Sequence, residues 1–244
     1  FRIRQPTIIQ LFPCRTPARA LVLCGPPAGA KTATIARLQG DDRLRVKPVV
    51  VVSADSVQVY RGMDIGSAKP DAAERQRTRH ELIDILEPSQ PFSVGEFVRL
   101  ADEACARAIA DGALPILSGG TAYYIKAFMF GPPPAPPSDS VVRAAIQEEL
   151  ASRGPEALRQ ELAAVDPESA ARLAPADLYR ITRALEVYRC SGRPLSSFKQ
   201  ELKRRPRWDT FAMGLDRPRE ELYARIEARV DAMVAAGLPA EVES

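Results

Sequence analysis

The residues best suited to chemistry are Gly25-Pro26-Pro27-Ala28-Gly29-Ala30-Lys31-Thr32. A glycine-rich turn leaves backbone N–H groups to point at an anion, and a helix opening directly after it adds the positive end of its dipole. Lys31 brings a point charge and Thr32 a hydroxyl for Mg²⁺, so the chemistry implied is the binding of a phosphate or diphosphate. The usual pattern, G-x-x-x-x-G-K-[ST], has glycine where Ala30 stands. A Cβ there is expected to crowd an anion that must approach the backbone closely. Read as part of the first helical turn, a glycine replacing Ala30 is expected to cost up to about 1 kcal/mol of stability. Two further places end apolar runs: Asp55, after Val49 to Ser53, and Gly119-Gly120-Thr121, after Pro115 to Ser118. The plainer readings are a Gly-Pro turn for the first stretch and a turn cap for Asp55.

These residues need elements that hold them. Ala20-Leu21-Val22-Leu23-Cys24 reads as a buried strand, and from Thr32 on Ile35 and Leu38 share a helical face. Val49 to Ser53 predicts a second strand, Glu81 to Leu86 a third and Pro115 to Ser118 a fourth. Ser93-Val94-Gly95-Glu96 reads as a capping box opening a helix to about Ala110, and Ala122 to Phe130 is helical. Strands alternating with helices predict an α/β fold, a P-loop NTPase-like parallel sheet flanked by helices. The proline run at 131–137 marks a boundary. The expected organisation is an N-terminal extension (1–19), a phosphate-loop core (20–130), a mostly helical insertion (131–200) and a return to the core (201–244). Within it, Ser138 opens a helix to about Arg153 before Gly154-Pro155. Asp166-Pro167 opens another, and Asp177 caps a third ending at Gly192. Phe211 to Leu215 is a returning strand, followed by a helix from Arg219 to Ala236.

With 45% hydrophobic and 27% charged residues, the chain is of ordinary globular composition. No apolar run approaches the roughly 18 residues that would span a bilayer. One histidine and no C-x-x-C pair exclude a common zinc site, and Cys14, Cys24, Cys105 and Cys190 suit reduced thiols in a cytoplasmic protein. Arg2, Arg4, Arg15 and Arg19 fit either a transit peptide or a plain extension. The net charge of +3 is small, but Arg180, Arg183, Arg189, Arg193, Lys199, Lys203, Arg204, Arg205 and Arg207 crowd one stretch. That stretch is either a solvated face or a stripe that meets a polyanion.

Together the blocks resemble the tRNA dimethylallyltransferases. The resemblance rests on Gly25 to Thr32, on Asp55-Ser56-Val57-Gln58-Val59-Tyr60-Arg61-Gly62-Met63-Asp64-Ile65-Gly66-Ser67-Ala68-Lys69-Pro70, and on His80-Glu81-Leu82-Ile83-Asp84. Gly119-Gly120-Thr121, Asp177 to Glu186 and Leu222 to Val230 complete it, in the family's order. The family usually has a second His where Glu81 stands, and it continues past Ser244 into a helical segment that helps hold tRNA. The resemblance implies transfer of a dimethylallyl group from dimethylallyl diphosphate to an adenine amine beside the tRNA anticodon. Gly25, Pro26, Pro27, Ala28, Gly29, Ala30, Lys31 and Thr32, with Arg225 and Arg229, would hold the diphosphate, and Thr32 a Mg²⁺. Asp55 would be the general base and Thr121 a second contact to the base, with Lys31 stabilising the leaving group. Ser56, Val57, Gln58, Arg143, Tyr179, Arg180, Ile181, Thr182 and Arg183 match positions that touch tRNA. The expected partners are tRNA and dimethylallyl diphosphate, with no membrane, for a monomer. Two other classes stay open: a phosphate-loop small-molecule kinase using ATP, and a catalytically impaired tRNA-binding relative.

Overall fold

Continuous apolar runs build the central strands of the sheet. The computed structural model describes residues 7–12, 20–26, 28–40 and 48–243, with backbone alone for 7–12 and Gly40. Its strands are β1 (Thr7–Phe12), β2 (Ala20–Cys24), β3 (Val49–Ser53), β4 (Arg79–Glu81), β5 (Leu114–Ser118) and β6 (Thr210–Asp216). They form one sheet in the order β1-β6-β2-β5-β3-β4, with β1 antiparallel to β6 and every other pairing parallel. Val22, Val52, Leu117 and Ala212 enter one core together with Phe97 and Phe128, while Leu21, Leu23, Val51, Ile116 and Leu215 enter another with Ile35. A strand's two-residue period sends neighbours to opposite faces, so both faces are covered. Each fully buried Phe contributes about 1.5–3 kcal/mol.

The helices are α1 (Lys31–Gly40), α2 (Ala72–Arg77), α3 (Val94–Ala110), α4 (Ala122–Phe130), α5 (Ser140–Val165), α6 (Pro167–Arg172), α7 (Leu178–Ser191), α8 (Arg219–Ala235) and α9 (Leu238–Glu243). The chain divides into two compact units, one of residues 1–132 and 203–244, the other of 133–202. The first carries the sheet. The second is built from α5, α6 and α7 around Ile146, Leu158, Leu162, Ile181, Ala184 and Leu185.

Several expectations need correction. Within the supposed extension, Thr7–Phe12 is an edge strand, while residues 1–6 and 13–19 lie outside the described residues. The strand expected at Glu81 to Leu86 is β4, ending at Glu81, because Leu82 and Asp84 take φ of +64° and +56° and turn the chain. Ser93 does cap α3, accepting from the Glu96 N–H at 3.1 Å, but the Glu96 carboxylate binds Arg99 instead of returning to the cap. The break expected at Gly154-Pro155 is present: Gly154 takes a non-helical φ of +79°, and two helical stretches meet across a kink there within α5. The Glu81 carboxylate is taken by Arg79 and Arg107, at 2.7 and 3.0 Å.

Candidate active site

Sheet order puts β5 between β2 and β3, so the phosphate loop, Asp55 and the Gly119-Gly120-Thr121 turn leave the carboxyl ends of three adjacent strands. Ligands of open parallel sheets bind at that edge. A cleft of about 620 Å³ opens there, bordered by Lys31, Thr32, Asp55, Gln58, Gly120 and Arg229.

In the loop, α1 begins at Lys31, so Ala30 lies outside the helix. Ala28 and Ala30 both take left-handed backbone, φ +54° and +74°. Glycine at position 30 in the usual pattern therefore answers a conformational demand, one that an alanine meets at a cost of about 1–2 kcal/mol. The Lys31 ammonium donates to the carbonyls of Gly25 and Pro26 at 3.1 and 3.0 Å. Burial, and then the neighbouring Arg229, push its pKa below 10.5, with the Asp55 charge opposing them. An anion entering the cleft would meet a lysine whose charge is poorly compensated. Pro27 lies outside the described residues.

Asp55 Oδ1 accepts from the Val57 and Gln58 N–H groups, at 2.9 and 3.3 Å. Its Oδ2 faces Gly120, where an added Cβ would lie 3.3 Å away. At Gly119 an added Cβ would fall 2.1 Å from the Ala54 carbonyl oxygen, so only glycine lets the two turns come together. The Thr121 N–H donates to that Ala54 oxygen at 3.0 Å. Thr121 Oγ1 does not cap α4; it accepts from the Ser56 N–H at 2.9 Å and donates to Ser56 Oγ at 3.2 Å. Ser56 to Gln58, Asp55 and Thr121 are thus one hydrogen-bonded unit.

From α8, the Arg225 guanidinium donates to the Ala28 carbonyl at 2.8 Å, and Arg229 borders the cleft beside Lys31. For Mg²⁺, the Thr32 hydroxyl and Asp55 carboxylate are hard oxygen donors on one cleft. Among the described residues no group of three or more His, Cys, Asp or Glu is arranged to hold a metal ion. That donor set fits an ion that arrives with phosphate oxygens and keeps its waters.

The profile of the IPP transferase family matches residues 58–244. Over 223 residues the chain is 44% identical to the tRNA dimethylallyltransferase of Anaeromyxobacter sp. strain K, covering 90% of this chain and 70% of that protein. The chain belongs to the IPP transferase family. A tRNA dimethylallyltransferase of Methylibium petroleiphilum is 47% identical over 231 residues, 91% of this chain and 68% of that protein. Among solved structures, the tRNA isopentenylpyrophosphate transferase of Bacillus halodurans aligns with TM-score 0.57 at 37% identity, over 92% of this chain and 69% of that one. A eukaryotic dimethylallyltransferase described as acting on tRNA aligns with TM-score 0.72 at 25% identity, over 92% and 55%.

The other IPP transferase positions singled out in the sequence lie in the helical unit. Arg143, Tyr179, Thr182 and Arg183 border a cavity of about 110 Å³ there. Tyr179 is exposed at the start of α7, and Arg180 is exposed with its guanidinium on Asp177. Ile181 is different: its side chain is in the core, because the 3.6-residue period turns it inward with Ala184 and Leu185. Arg183 is held by Glu186 at 2.9 Å and by the Pro136 carbonyl. The basic stretch is also less free than its composition suggests. Arg189 is shared by Glu149 and Glu161, while Arg205 and Arg207 meet Asp102, which also accepts from Trp208 Nε1 at 2.7 Å.

Sequence reasoning missed Ser53, Ser118 and His80, all on the cleft of this IPP transferase. The two serines end apolar strands and are paired across β3 and β5, but sequence does not show which way a strand-end hydroxyl faces. His80 Nδ1 lies 2.8 Å from the Thr78 carbonyl, and burial pushes its pKa down, which favours the neutral ring.

Proposed function

We propose that the protein transfers a dimethylallyl group from dimethylallyl diphosphate to the exocyclic amine of the adenine on the 3′ side of the tRNA anticodon, releasing diphosphate. The observation that carries this reading is one cleft bordered both by Lys31 and Thr32, which end the phosphate-loop pattern, and by Asp55, whose Oδ1 takes the Val57 and Gln58 amides. As the allylic C–O bond breaks, negative charge gathers on the diphosphate oxygens. Lys31, the loop amides, Arg225 and Arg229 are the groups to stabilise it where it develops. The amine forms the C–N bond at the allylic carbon and passes its proton to Asp55 Oδ2. Clamping of Oδ1 by Val57 and Gln58 keeps that oxygen aimed. Thr121 holds Ser56 in place and stands beside the expected position of the base. Mg²⁺, held on this chain by Thr32, would neutralise part of the diphosphate charge.

RNA contacts are assigned to Ser56, Val57 and Gln58, and in the helical unit to Arg143, Tyr179, Arg180, Thr182 and Arg183, with Ile181 supporting them from the core. Arginine and aromatic side chains suit unstacked loop bases, and the adenine must leave its stack to react. Unpaired thiols at Cys24, Cys105 and Cys190 support a cytoplasmic enzyme. The test is incubation with tRNA, dimethylallyl diphosphate and Mg²⁺, and separately with ATP. Prenylated adenine in tRNA is the expected product. Phosphoryl transfer from ATP without prenylation would establish a kinase instead, and tRNA binding without transfer an impaired relative.

A further inference from the structure

The loop that follows Asp55 is held from an element far along the chain. Glu241, on α9, accepts from three successive backbone N–H groups: Asp64 and Ile65 on Oε2 at 2.8 and 2.6 Å, and Gly66 on Oε1 at 2.9 Å. Those bonds hold its carboxyl below the usual range, so the ion is the bound form. The loop is shaped to receive the helix, since a Cβ on Gly66 would lie 3.1 Å from Leu238 Cδ1 and 3.5 Å from Glu241 Oε1.

The contact leads back to the reacting groups. Lys69, buried, donates to Asp64 and Asp84, both at 2.6 Å. Gln58 Nε2 donates to the Ser67 and Ala68 carbonyls, both at 3.1 Å, and its Oε1 accepts from Ser53 Oγ at 2.9 Å. The Gln58 N–H then reaches Asp55 Oδ1. A loop pinned at Gly66 therefore fixes Gln58, and Gln58 fixes the carboxylate.

We propose that Glu241 is a positioning residue for prenyl transfer: by binding the Asp64–Gly66 amides it holds the loop that aims Asp55. The proposal rests on Asp55 serving as the base of that transfer. α9 buries no side chain, so the contact can be removed while the core stays intact.

The experiment compares the full chain with Glu241→Ala, Glu241→Gln and Gly66→Ala. It measures amide hydrogen exchange over residues 57–70, single-turnover transfer with both substrates saturating, and dimethylallyl diphosphate affinity by calorimetry. In Glu241→Ala, exchange at Asp64 to Gly66 should quicken by about tenfold or more. Its transfer rate should fall about 10- to 100-fold, the size expected for misplacing a reacting group by a fraction of an ångström to an ångström. Glu241→Gln, which keeps an acceptor oxygen but loses the charge, should fall between parent and Ala, and so should Gly66→Ala, whose methyl pushes on the end of the Leu238 side chain but leaves Glu241 in ordinary contact. Diphosphate affinity should stay within about twofold, because the phosphate loop lies on a different element. A transfer rate within about twofold of the parent, unchanged exchange, or affinity lost in step with rate would overturn the proposal. Should Glu241→Ala fail to fold, Glu241→Gln decides by the same criteria. A parent that transfers no prenyl group overturns the functional reading; exchange alone then decides whether Glu241 holds the loop.

Discussion

At the scale of single residues, Asp55 and Ala30 carry the sharpest expectations. Asp55→Asn keeps an acceptor for the Val57 and Gln58 N–H groups and so should keep the loop, yet it cannot take a proton. Single-turnover prenyl transfer should fall by roughly 10²–10⁴-fold, with tRNA affinity nearly intact. A rate within a few-fold of the parent would move the base elsewhere. For Ala30, the structure reverses a sign. As a first-turn helical residue it would be more stable than glycine, but its φ of +74° ahead of α1 favours glycine. Ala30→Gly should therefore raise stability by about 0.5–1 kcal/mol, the relief of left-handed strain outweighing the added chain entropy. Thermal melts test this, and calorimetry with dimethylallyl diphosphate shows whether the methyl group also crowds the anion.

At the scale of elements, α7 separates two arginines that look alike in sequence. Arg180 is exposed and paired with Asp177 at the helix start, where removal costs little. Arg183 is half-buried against Glu186, whose carboxylate also accepts from Ser138 Oγ and the Asp139 N–H, both at 2.7 Å. Arg180→Ala should lower the slope of log tRNA affinity against log salt by about one phosphate contact, leaving the melting temperature alone. Arg183→Ala should instead destabilise the helical unit, by about 3 kcal/mol, because it leaves a buried carboxylate short of its main partner. Equal effects of the two changes on melting would refute this division of labour.

For the whole molecule, the two units have separate cores, and Lys31, Asp55 and Arg229 all belong to the sheet-bearing unit. A ligand stabilises what it binds, by about 2.7 kcal/mol at a hundred times its Kd. Calorimetric unfolding should show two transitions, and dimethylallyl diphosphate with Mg²⁺ should raise only that of the sheet-bearing unit. A single transition, or two that shift together, would show one cooperative body.

By itself the sequence determined what depends on local pattern. Apolar runs at Ala20–Cys24 and Val49–Ser53 specify strands, and Ser93 and Asp177 specify helix starts. The long block from Asp55 to Pro70 carried the resemblance to the family, whose profile matches from residue 58 onward. Tertiary structure decided whatever depends on which distant segments meet. It placed β5 between β2 and β3, which brings three turns to one cleft, and it joined Thr7–Phe12 to the edge of β6. It turned Ile181 inward, neutralised Arg189 and Arg205 with acidic partners from other segments, and set Glu241 on amides some 175 residues away. Charge composition is visible along a chain, but compensation is a matter of distance in space, and only folding sets those distances.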